Sequence, residues 1–583
     1  MASISNKLRT ALALGAVAVL GAGCASLPST SDPHVLRPYS PDAASAPVIT
    51  PEAGREPDLL LRDFYSASAI PSSNYKAARA FLTDDAASAW EPTDETLVVD
   101  RIGMTTLAGG SATHRSFSVH GSVVGALGTG GAFRPERGTY EATIDLDQQN
   151  GQWRISSLPA GVVLERTELR NQYQPYNLYF YDNVGKELVA DRRWVYTRRE
   201  TLPSALISLL MDGPTQRLRP AVPSILPAGA SFTGFNDGAY TFAGFGGVSD
   251  EDRAHFASQV VWTLASAGIS GPFTLLADGA PLVADAKSLS TDDFVEISPL
   301  VEAAGETEMY SLTGGSVSHV DGQTVTPVEG LMGTAGDVQS ADITNDGEWA
   351  AVFRPGATGA PGAGGASGGG EAVLRAGTFV TAPRELLKAG TITRPSFEPD
   401  AAAVWAVADG TRILRTVRSS ATGEVTTEEI NAELPGGTEG NISVLRLSRS
   451  GARVVMVIDG HLYTGIVERR PTGEHAVVNV LEYAQELGGS VVSADWQPDG
   501  SLIVGTSNSA SPVLRVEQDG SSATALSVGN ISAPVVAVAA SPSMLYVTDA
   551  NALLQLPSNG ADTPLWREVP GLEGVRSVPI LAR

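Results

Sequence analysis

Apolar positions follow a helical spacing at first and an alternating one afterwards. Between residues 58 and 90 they recur at helical spacing, in DLLLRDFYSASAI and again in NYKAARAFLTDDAASAW, which predicts amphipathic helices. Strand-like patterns follow in RSFSVHGSVVGAL and in TYEATIDLDQQNGQWRISSL, where Asn150-Gly151 is typical of a tight hairpin turn. Helices followed by antiparallel strands predict an α+β domain over residues 58–169, for which we expect a cystatin-like roll.

Strand and helix patterns are mixed over residues 170–300. NLYFYDNVGKELVADRRWV predicts a strand, a turn and a second strand. TLPSALISLLMDGP predicts a helix that stops at Gly213-Pro214. SDEDRAHFASQVVWTLASAG predicts another helix, with Ser249 as its N-cap and acidic residues in its first turn. This pattern indicates a second α+β domain.

The remaining chain, residues 305–583, repeats. A glycine followed one or two residues later by Val or Ile recurs at intervals of 40 to 54 residues, at Gly336, Gly390, Gly440, Gly489, Gly529 and Gly574. Each full repeat continues into a polar turn and another apolar strand, which predicts the blades of an all-β propeller. We count six blades, with five or seven as the alternatives. Because the last repeat is cut short, we expect the strand-like segment 309–330 to complete the final blade and close the ring.

The N-terminal segment predicts an export signal. Fourteen apolar or small residues without charge run from Thr10 to Gly23, after Lys7 and Arg9. At 1.5 Å per residue such a helix is about 21 Å long, short of the roughly 30 Å of hydrocarbon in a bilayer. A short basic region, a short apolar region and small residues describe a signal peptide over residues 1–23.

The single cysteine of the chain, Cys24, follows this segment directly. The sequence LGAGC, Leu20 to Cys24, resembles the lipobox of bacterial lipoproteins and departs from it at Gly21, where that family prefers Leu, Val or Ile. The resemblance implies that Cys24 carries an S-diacylglycerol and an N-palmitoyl group, and several acyl chains anchor a protein stably. An ordinary signal peptide or an uncleaved anchor with an incidental cysteine is the alternative. Residues 24–57, rich in proline, predict an extended tether.

Composition narrows the range of partners. Asp and Glu total 64 and Lys and Arg total 40, so the formal net charge is −24. Such an acidic chain is a poor ligand for nucleic acid phosphates and for anionic lipid headgroups. Membrane attachment is therefore expected to come from the acyl chains alone.

Candidate catalytic chemistry is sparse. The seven histidines show no metal-type spacing, so we expect no metal and no cofactor. A G-x-S-x-G match at Gly365 to Gly369 lies in a glycine-rich loop without the strand-to-helix turn that a nucleophilic serine needs. The acidic run DDAASAWEPTDE lacks the central glycine of a calcium loop. We therefore assign no catalytic residue and expect no enzyme activity.

A basic cluster stands out in this acidic chain. It consists of Arg192, Arg193, Arg198 and Arg199. The first interpretation is a strand edge with its charges directed outward. The alternative is a contact surface for an acidic partner, where complementary charge aids encounter and specificity.

Taken together, these segments resemble the actinobacterial LpqB lipoprotein family, which has its own N-terminal domain, a GerMN domain and a C-terminal β-propeller. The N-terminal signature is YKAARAFLTDDAASAWEP. The GerMN-like elements are LYFYD, LLMDGP, PSILPAG and SQVVWTL. The PDG and NDG turns resemble those of TolB-type and WD-type propellers and indicate the architecture only.

The resemblance implies a role as well as a fold. Members of the family are lipid-anchored on the outer face of the cytoplasmic membrane and are associated with the MtrA–MtrB two-component system. The implied function is that of a non-enzymatic accessory protein that contacts the extracytoplasmic domain of an MtrB-type sensor kinase, in a system linked to the cell envelope and division. An envelope polymer-binding protein or a propeller hydrolase is the alternative.

Overall fold

The computed structural model describes residues 49–583, except residues 94, 300–306, 357–369, 420–421, 438–439, 471, 528 and 559–564. Cys24, the predicted signal peptide, most of the predicted tether and the G-x-S-x-G match lie outside the described residues. Within the described part, residues Thr50–Arg583 fold as one unit. We call its three parts the N-terminal domain, the middle domain and the propeller.

The N-terminal domain places helices against a curved sheet. Its helices are α1 (Pro57–Ala67), α2 (Ser72–Arg79), α3 (Asp84–Ala89) and, at its end, α4 (Arg166–Gln172). Its strands are β1 (Thr96–Val99), β2 (Gly103–Thr106), β3 (His114–Leu127), β4 (Phe133–Gln149), β5 (Gln152–Ser157) and β6 (Val162–Glu165). The sheet order is β5-β4-β3-β1-β6, with β2 paired to β3. The predicted α+β class is confirmed.

The apolar stripe of α1 explains how this domain packs. Leu60 and Phe64 are buried, as expected for residues one turn apart on the same helix face. The Phe64 ring lies 5.9 Å from the ring of Trp90. The indole of Trp90 donates to the carbonyl oxygen of Gly161 at 3.2 Å. This bond connects the helical segment to the residue that directly precedes β6.

The middle domain has two small sheets and two helices. Its elements are β7 (Gln174–Tyr181), β8 (Leu188–Val195), α5 (Leu202–Met211), β9 (Ser231–Asn236), β10 (Ala239–Ala243), α6 (Asp250–Ser266), β11 (Thr274–Ala277) and β12 (Ala280–Pro281). Strands β7 and β8 pair with each other, and the second sheet has the order β12-β11-β10-β9. The Ser249 side chain accepts a hydrogen bond from the Asp252 amide, so the predicted N-cap of α6 is confirmed.

The propeller has one short helix, α7 (Leu331–Thr334), and 25 described strands. The strands are β13 (Met309–Thr313), β14 (Ser316–Asp321), β15 (Thr324–Pro327), β16 (Val338–Ile343), β17 (Glu348–Phe353), β18 (Ala372–Thr378), β19 (Arg384–Ala389), β20 (Ser396–Phe397), β21 (Ala403–Ala408), β22 (Arg412–Arg418), β23 (Val425–Glu429), β24 (Asn431–Ala432), β25 (Ile442–Leu447), β26 (Arg453–Ile458), β27 (His461–Arg469), β28 (His475–Tyr483), β29 (Val491–Trp496), β30 (Leu502–Thr506), β31 (Val513–Val516), β32 (Ala523–Ala525), β33 (Ala537–Ala540), β34 (Met544–Thr548), β35 (Leu553–Pro557), β36 (Arg567–Glu568) and β37 (Val578–Leu581).

These strands form six sheets, so the predicted count of six blades is confirmed. Blades one to five are β16–β19, β20–β23, β24–β28, β29–β32 and β33–β36. The sixth blade has the order β15-β14-β13-β37. In it Leu312 pairs with Val578 and Met309 with Leu581. The early strands therefore complete the last blade and close the ring as predicted, and closure removes the exposed strand edges of an open array.

Candidate functional site at the junction of the three domains

The end of strand β8 lies where the middle domain meets the propeller. Arg192 and Trp194 are two residues apart, so their side chains project to the same side of the strand. The Trp194 indole donates to Asp519 Oδ2 at 2.9 Å. Arg192 Nη1 lies 3.1 Å from Glu517 Oε2. Both acidic residues belong to the turn between β31 and β32 in blade four, so this contact fixes one blade to the middle domain.

The acceptor turn in blade four is itself ordered by hydrogen bonds. Asp519 Oδ1 accepts from the Ser521 amide at 3.0 Å and from its hydroxyl at 2.6 Å. Gly520 between them has φ +75°, and a Cβ there would lie 2.9 Å from Pro135 Cγ and 3.0 Å from the Tyr483 ring. Glycine is thus required both by the backbone conformation and by the close approach of the N-terminal domain and blade three.

Arg193, on the other side of β8, connects the middle domain to the N-terminal domain. Its guanidinium donates to Asp191 Oδ2 through Nε at 3.2 Å and through Nη2 at 2.8 Å. It also donates to the carbonyl oxygens of Gly130 at 3.2 Å and Gly213 at 3.0 Å. Arg193 is 4% exposed. A buried arginine with this many acceptors is a satisfied structural cation.

Arg217 makes a second connection, from the middle domain to blade three. Its Nη2 donates to the carbonyl and hydroxyl oxygens of Thr464 at 2.9 and 2.8 Å, and its Nε donates to the carbonyl oxygen of Asn479 at 3.2 Å. Its Nη1 donates to the Tyr483 hydroxyl. Asn479 Nδ2 donates back to the Arg217 carbonyl at 2.8 Å. Reciprocal bonds of this kind fix orientation as well as proximity.

The structure corrects the expectation that the four arginines form one outward-facing cluster. Arg193 is buried and Arg192 pairs with acidic residues of the same chain. Arg198 and Arg199 are exposed, and their contact with an acidic partner stays a prediction. The acidic surface that Arg192 contacts is thus intramolecular.

Sequence reasoning missed Trp194, Arg217 and Asp519 as junction residues. Trp194 and Asp519 are separated by 325 positions, and Arg217 and Tyr483 by 266. Contacts over such separations leave no local pattern. The one available signal is a large aromatic next to charged residues at a strand end, and that signal does not identify a partner.

The central channel of the propeller holds a second group of charges. Arg446 Nη2 donates to Asp342 Oδ1 at 2.8 Å, and Arg583 Nη2 donates to Asp495 Oδ1 at 2.9 Å. Arg394 lies 3.6 Å from Asp342 and 3.7 Å from Asp495. Burial lowers the pKa of Arg394 to about 10, and the neighbouring Arg446 charge adds to this effect.

We call these five residues the channel network: three arginines surround two carboxylates. The side chains of Asp342 and Asp495 are 2% and 5% exposed. Each carboxylate is thus neutralised and shielded from water, which suits a structural ion network better than a reactive acid or base.

A sequence signal for the channel network exists. Asp342, Arg446 and Asp495 each stand six residues after a repeat glycine, at Gly336, Gly440 and Gly489. Equivalent positions of inner strands converge on a propeller's axis. Charged residues at such a position in an otherwise apolar strand predict a group on that axis.

The histidines that the structure describes do not converge on a common site. His114 Nδ1 lies 2.8 Å from Asp147, His461 Nδ1 lies 2.8 Å from Glu482, and His475 Nδ1 lies 3.1 Å from Glu428. These are separate pairs on separate strands. Within the described ranges, no group of three or more His, Cys, Asp or Glu residues could hold a metal ion.

The fold and its junction define a class of protein in which two α+β domains are fixed to the side of a closed six-bladed propeller. The chain belongs to the LpqB lipoprotein family. Three family profiles match in order: "Lipoprotein LpqB, N-terminal domain" over residues 50–170, "Sporulation and spore germination" over 177–283, and "Lipoprotein LpqB beta-propeller domain" over 315–582.

Curated relatives match along the whole chain. A lipoprotein LpqB of Corynebacterium diphtheriae is 38% identical over 100% of this chain and 99% of its own length. Those of Rhodococcus jostii and Mycobacterium bovis are 38% and 32% identical, over 97% and 99% of this chain and 96% and 99% of their own lengths. Among solved structures, TolB from Acinetobacter baumannii is 13% identical, with a TM-score of 0.33 over 47% of this chain and 66% of its own.

Family membership bears on the membrane. A family of lipoproteins implies attachment through lipid. In the part of the chain that the structure describes, no helix is both long enough and apolar enough to cross a bilayer.

Proposed function

We propose that this chain is a lipid-anchored protein on the extracytoplasmic face of the cell membrane that acts as a non-enzymatic accessory protein of an MtrB-type sensor kinase. Cys24 would carry the acyl chains, and the three domains would present a contact surface to the kinase's extracytoplasmic domain. Full-length similarity to lipoproteins of the LpqB family is the observation that carries this proposal.

The junction supports a role as a rigid recognition platform. Arg192 pairs with Glu517 of blade four, Arg193 donates to Gly130 of the N-terminal domain and Arg217 donates to Thr464 of blade three. The relative orientation of the domains is therefore fixed by charge-assisted bonds, and a surface that spans them is pre-organised. Pre-organisation reduces the entropy cost of binding a partner.

The channel network argues against the alternative of a propeller hydrolase. General acid–base work needs a carboxyl group that can exchange a proton with a substrate. Both channel carboxylates are paired with arginines. Nitrogen atoms of Arg446 and Arg394 both lie within 3.6 Å of Asp342 Oδ1. Carboxylates that are buried and paired in this way suit a structural ion network.

Arg198 and Arg199 are the exposed residues that we assign to the kinase contact. They follow β8 and lie beside the junction in sequence, and both are exposed. Two adjacent cations on a protein of net charge −24 mark a local site for an acidic surface. Complementary charge of this kind raises the encounter rate and selects the partner.

The test is a binding measurement between the full chain in detergent and a full-length MtrB-type kinase in nanodiscs. We expect the charge reversal R198E/R199E to weaken binding by roughly tenfold at low salt. The matched control R62E/R101E reverses two exposed arginines of the N-terminal domain and should change binding less than roughly twofold. Absence of binding by the unmodified chain would remove the kinase from the proposal.

The anchor is tested separately by mass spectrometry of protein extracted from membranes. We expect the mature chain to begin at Cys24 and to carry a diacylglycerol and an N-linked acyl group. An unmodified thiol still joined to residues 1–23 would contradict the proposed location.

A further inference from the structure

A cavity of about 240 Å³ lies beside the junction, and residues of all three domains line it. The N-terminal domain contributes Arg166 and Arg170 from α4, and the middle domain contributes Arg192 from β8. Blade four contributes Glu517 and the neighbouring hydroxyl residues. The cavity therefore exists only while the three domains keep their observed arrangement.

Two arginine donors in its wall have no acceptor. The Nε atoms of Arg166 and Arg192 are buried and make no hydrogen bond with any described residue. Carboxylate oxygens of Asp100 and Asp519 lie 3.7 Å from Arg166 Nε and 3.6 Å from Arg192 Nε, respectively, beyond the length of an N–H···O bond. Buried donors are almost always satisfied, so these two arginines of the cavity wall have hydrogen-bonding capacity that the chain itself does not use.

The charge of the wall selects the ligand class. Three arginines and one glutamate line the cavity, although the whole chain carries a net charge of −24. The glutamate, Glu517, is shared, because its carboxylate contacts both Arg192 Nη1 at 3.1 Å and Arg515 Nε at 3.3 Å. An excess of arginine over carboxylate favours an anion.

Geometry narrows that class further. A guanidinium group presents its donors in a planar fork that matches phosphate and carboxylate oxygens. The hydroxyls of Ser522 and Thr524 also line the cavity and can donate to an oxyanion. At about 240 Å³, the space is larger than one or two water molecules and smaller than the usual site for a drug-sized ligand.

We propose that this cavity binds a phosphate-type oxyanion, either inorganic phosphate or the phosphate of a small monoester. Arg166 and Arg192 bind the oxyanion from two domains. Arg170, which is exposed, adds a third positive charge beside it. A ligand held between domains stabilises the arrangement that forms its site. The anion would therefore strengthen the junction.

The test is calorimetry on the full chain in detergent, titrated at fixed ionic strength with inorganic phosphate and separately with glycerol 3-phosphate. We expect saturable binding of at least one of them and an increase in Tm. R166Q should weaken that binding at least about tenfold, because it removes charge-assisted bonds. Tighter binding of glycerol 3-phosphate identifies a monoester, and equal binding identifies the oxyanion alone; both results support the site.

The matched control is R154Q, on β5 at the opposite edge of the N-terminal sheet. It should change binding less than roughly twofold. If R166Q does not fold, R166K serves instead, since it keeps the charge and loses the fork; weaker binding by R166K supports the proposal. Absence of binding by the unmodified chain, unchanged binding by the Arg166 variant, or an equal loss in R154Q would overturn it.

Discussion

Arginine–carboxylate contacts hold together two regions of this molecule, the channel network and the domain junction, and the two differ in burial and in origin. The residues of the channel network come from one domain. Its pair Asp342 and Arg446 is buried, and each of these two side chains is 2% exposed. At the junction, Arg192 and Glu517 come from two domains and are each 21% exposed. Burial is the larger physical difference, because it decides how much each charge depends on its partner.

This difference gives the two regions different consequences for stability. Water cannot replace a lost partner of a buried ion, so loss of one channel arginine affects the whole ring. The junction instead combines a partly exposed ion pair with hydrogen bonds and a close backbone approach. Its contributions are smaller and separable, as suits a contact that orients folded domains.

The substitution Arg446→Met should have the largest effect. It removes the shortest ion pair of the buried Asp342, leaving Arg394 and Arg583 at 3.6 and 3.7 Å, and should lower the free energy of unfolding by about 3–5 kcal/mol. Urea unfolding followed by tryptophan fluorescence measures this. The control R469M removes an exposed arginine of the same blade and should stay within about 0.5 kcal/mol. Equal effects of the two substitutions would mean that the channel network does not stabilise the ring.

The substitution Gly520→Ala should have the second-largest effect on stability. Gly520 lies at the point where all three domains approach each other. A non-glycine residue at φ +75° and a Cβ within 3.0 Å of Pro135 and Tyr483 together cost about 2–4 kcal/mol. Gly473→Ala is the matched control, because Gly473 has φ +88° and no neighbouring atom within 4 Å. The difference between the two isolates the close approach. If the two substitutions cost the same, the junction is loose enough to accommodate a methyl group.

Trp194→Phe removes one donor and keeps the aromatic ring. Asp519 then loses the indole bond at 2.9 Å, and we expect a cost of about 1–2 kcal/mol. Hydrogen exchange of the amides in the β31–β32 turn should become faster than in the parent. The control W153F changes a tryptophan of β5 in the N-terminal domain. Unchanged exchange in the turn would show that the indole bond does not hold blade four.

The features of the fold and of the candidate site that could be predicted from the sequence are those encoded by residues close together in the chain. The blade repeats and the Ser249 N-cap are encoded by residues a few positions apart, and the structure has both. Closure of the ring followed from a truncated last repeat and an extra strand at the start. The positions of Asp342, Arg446 and Asp495 were also readable, since they share one place in the repeat.

The junction could not be predicted in the same way. Arg192 and Arg193 are neighbours in sequence, yet one contacts blade four and the other is buried against Asp191 and Gly130. Alternation along β8 separates them, but the sequence does not say which surface covers each side. That information comes from the packing of domains whose contacting residues lie hundreds of positions apart.

The smallest effect on stability should come from substituting the arginines that lie close together in the sequence. Arg192→Gln removes a partly exposed pair with Glu517 and should cost about 0.5–1 kcal/mol, decreasing as salt is added. Arg198→Gln changes an exposed side chain and should alter stability by less than about 0.5 kcal/mol at any salt concentration. Thermal unfolding in low and high NaCl measures both. The comparison separates an arginine used within the chain from one that is free to meet a partner, because only the first should show salt-dependent stability. Equal responses would mean that Arg192 is as solvated as Arg198 and that the ion pair does not fix the middle domain to the propeller.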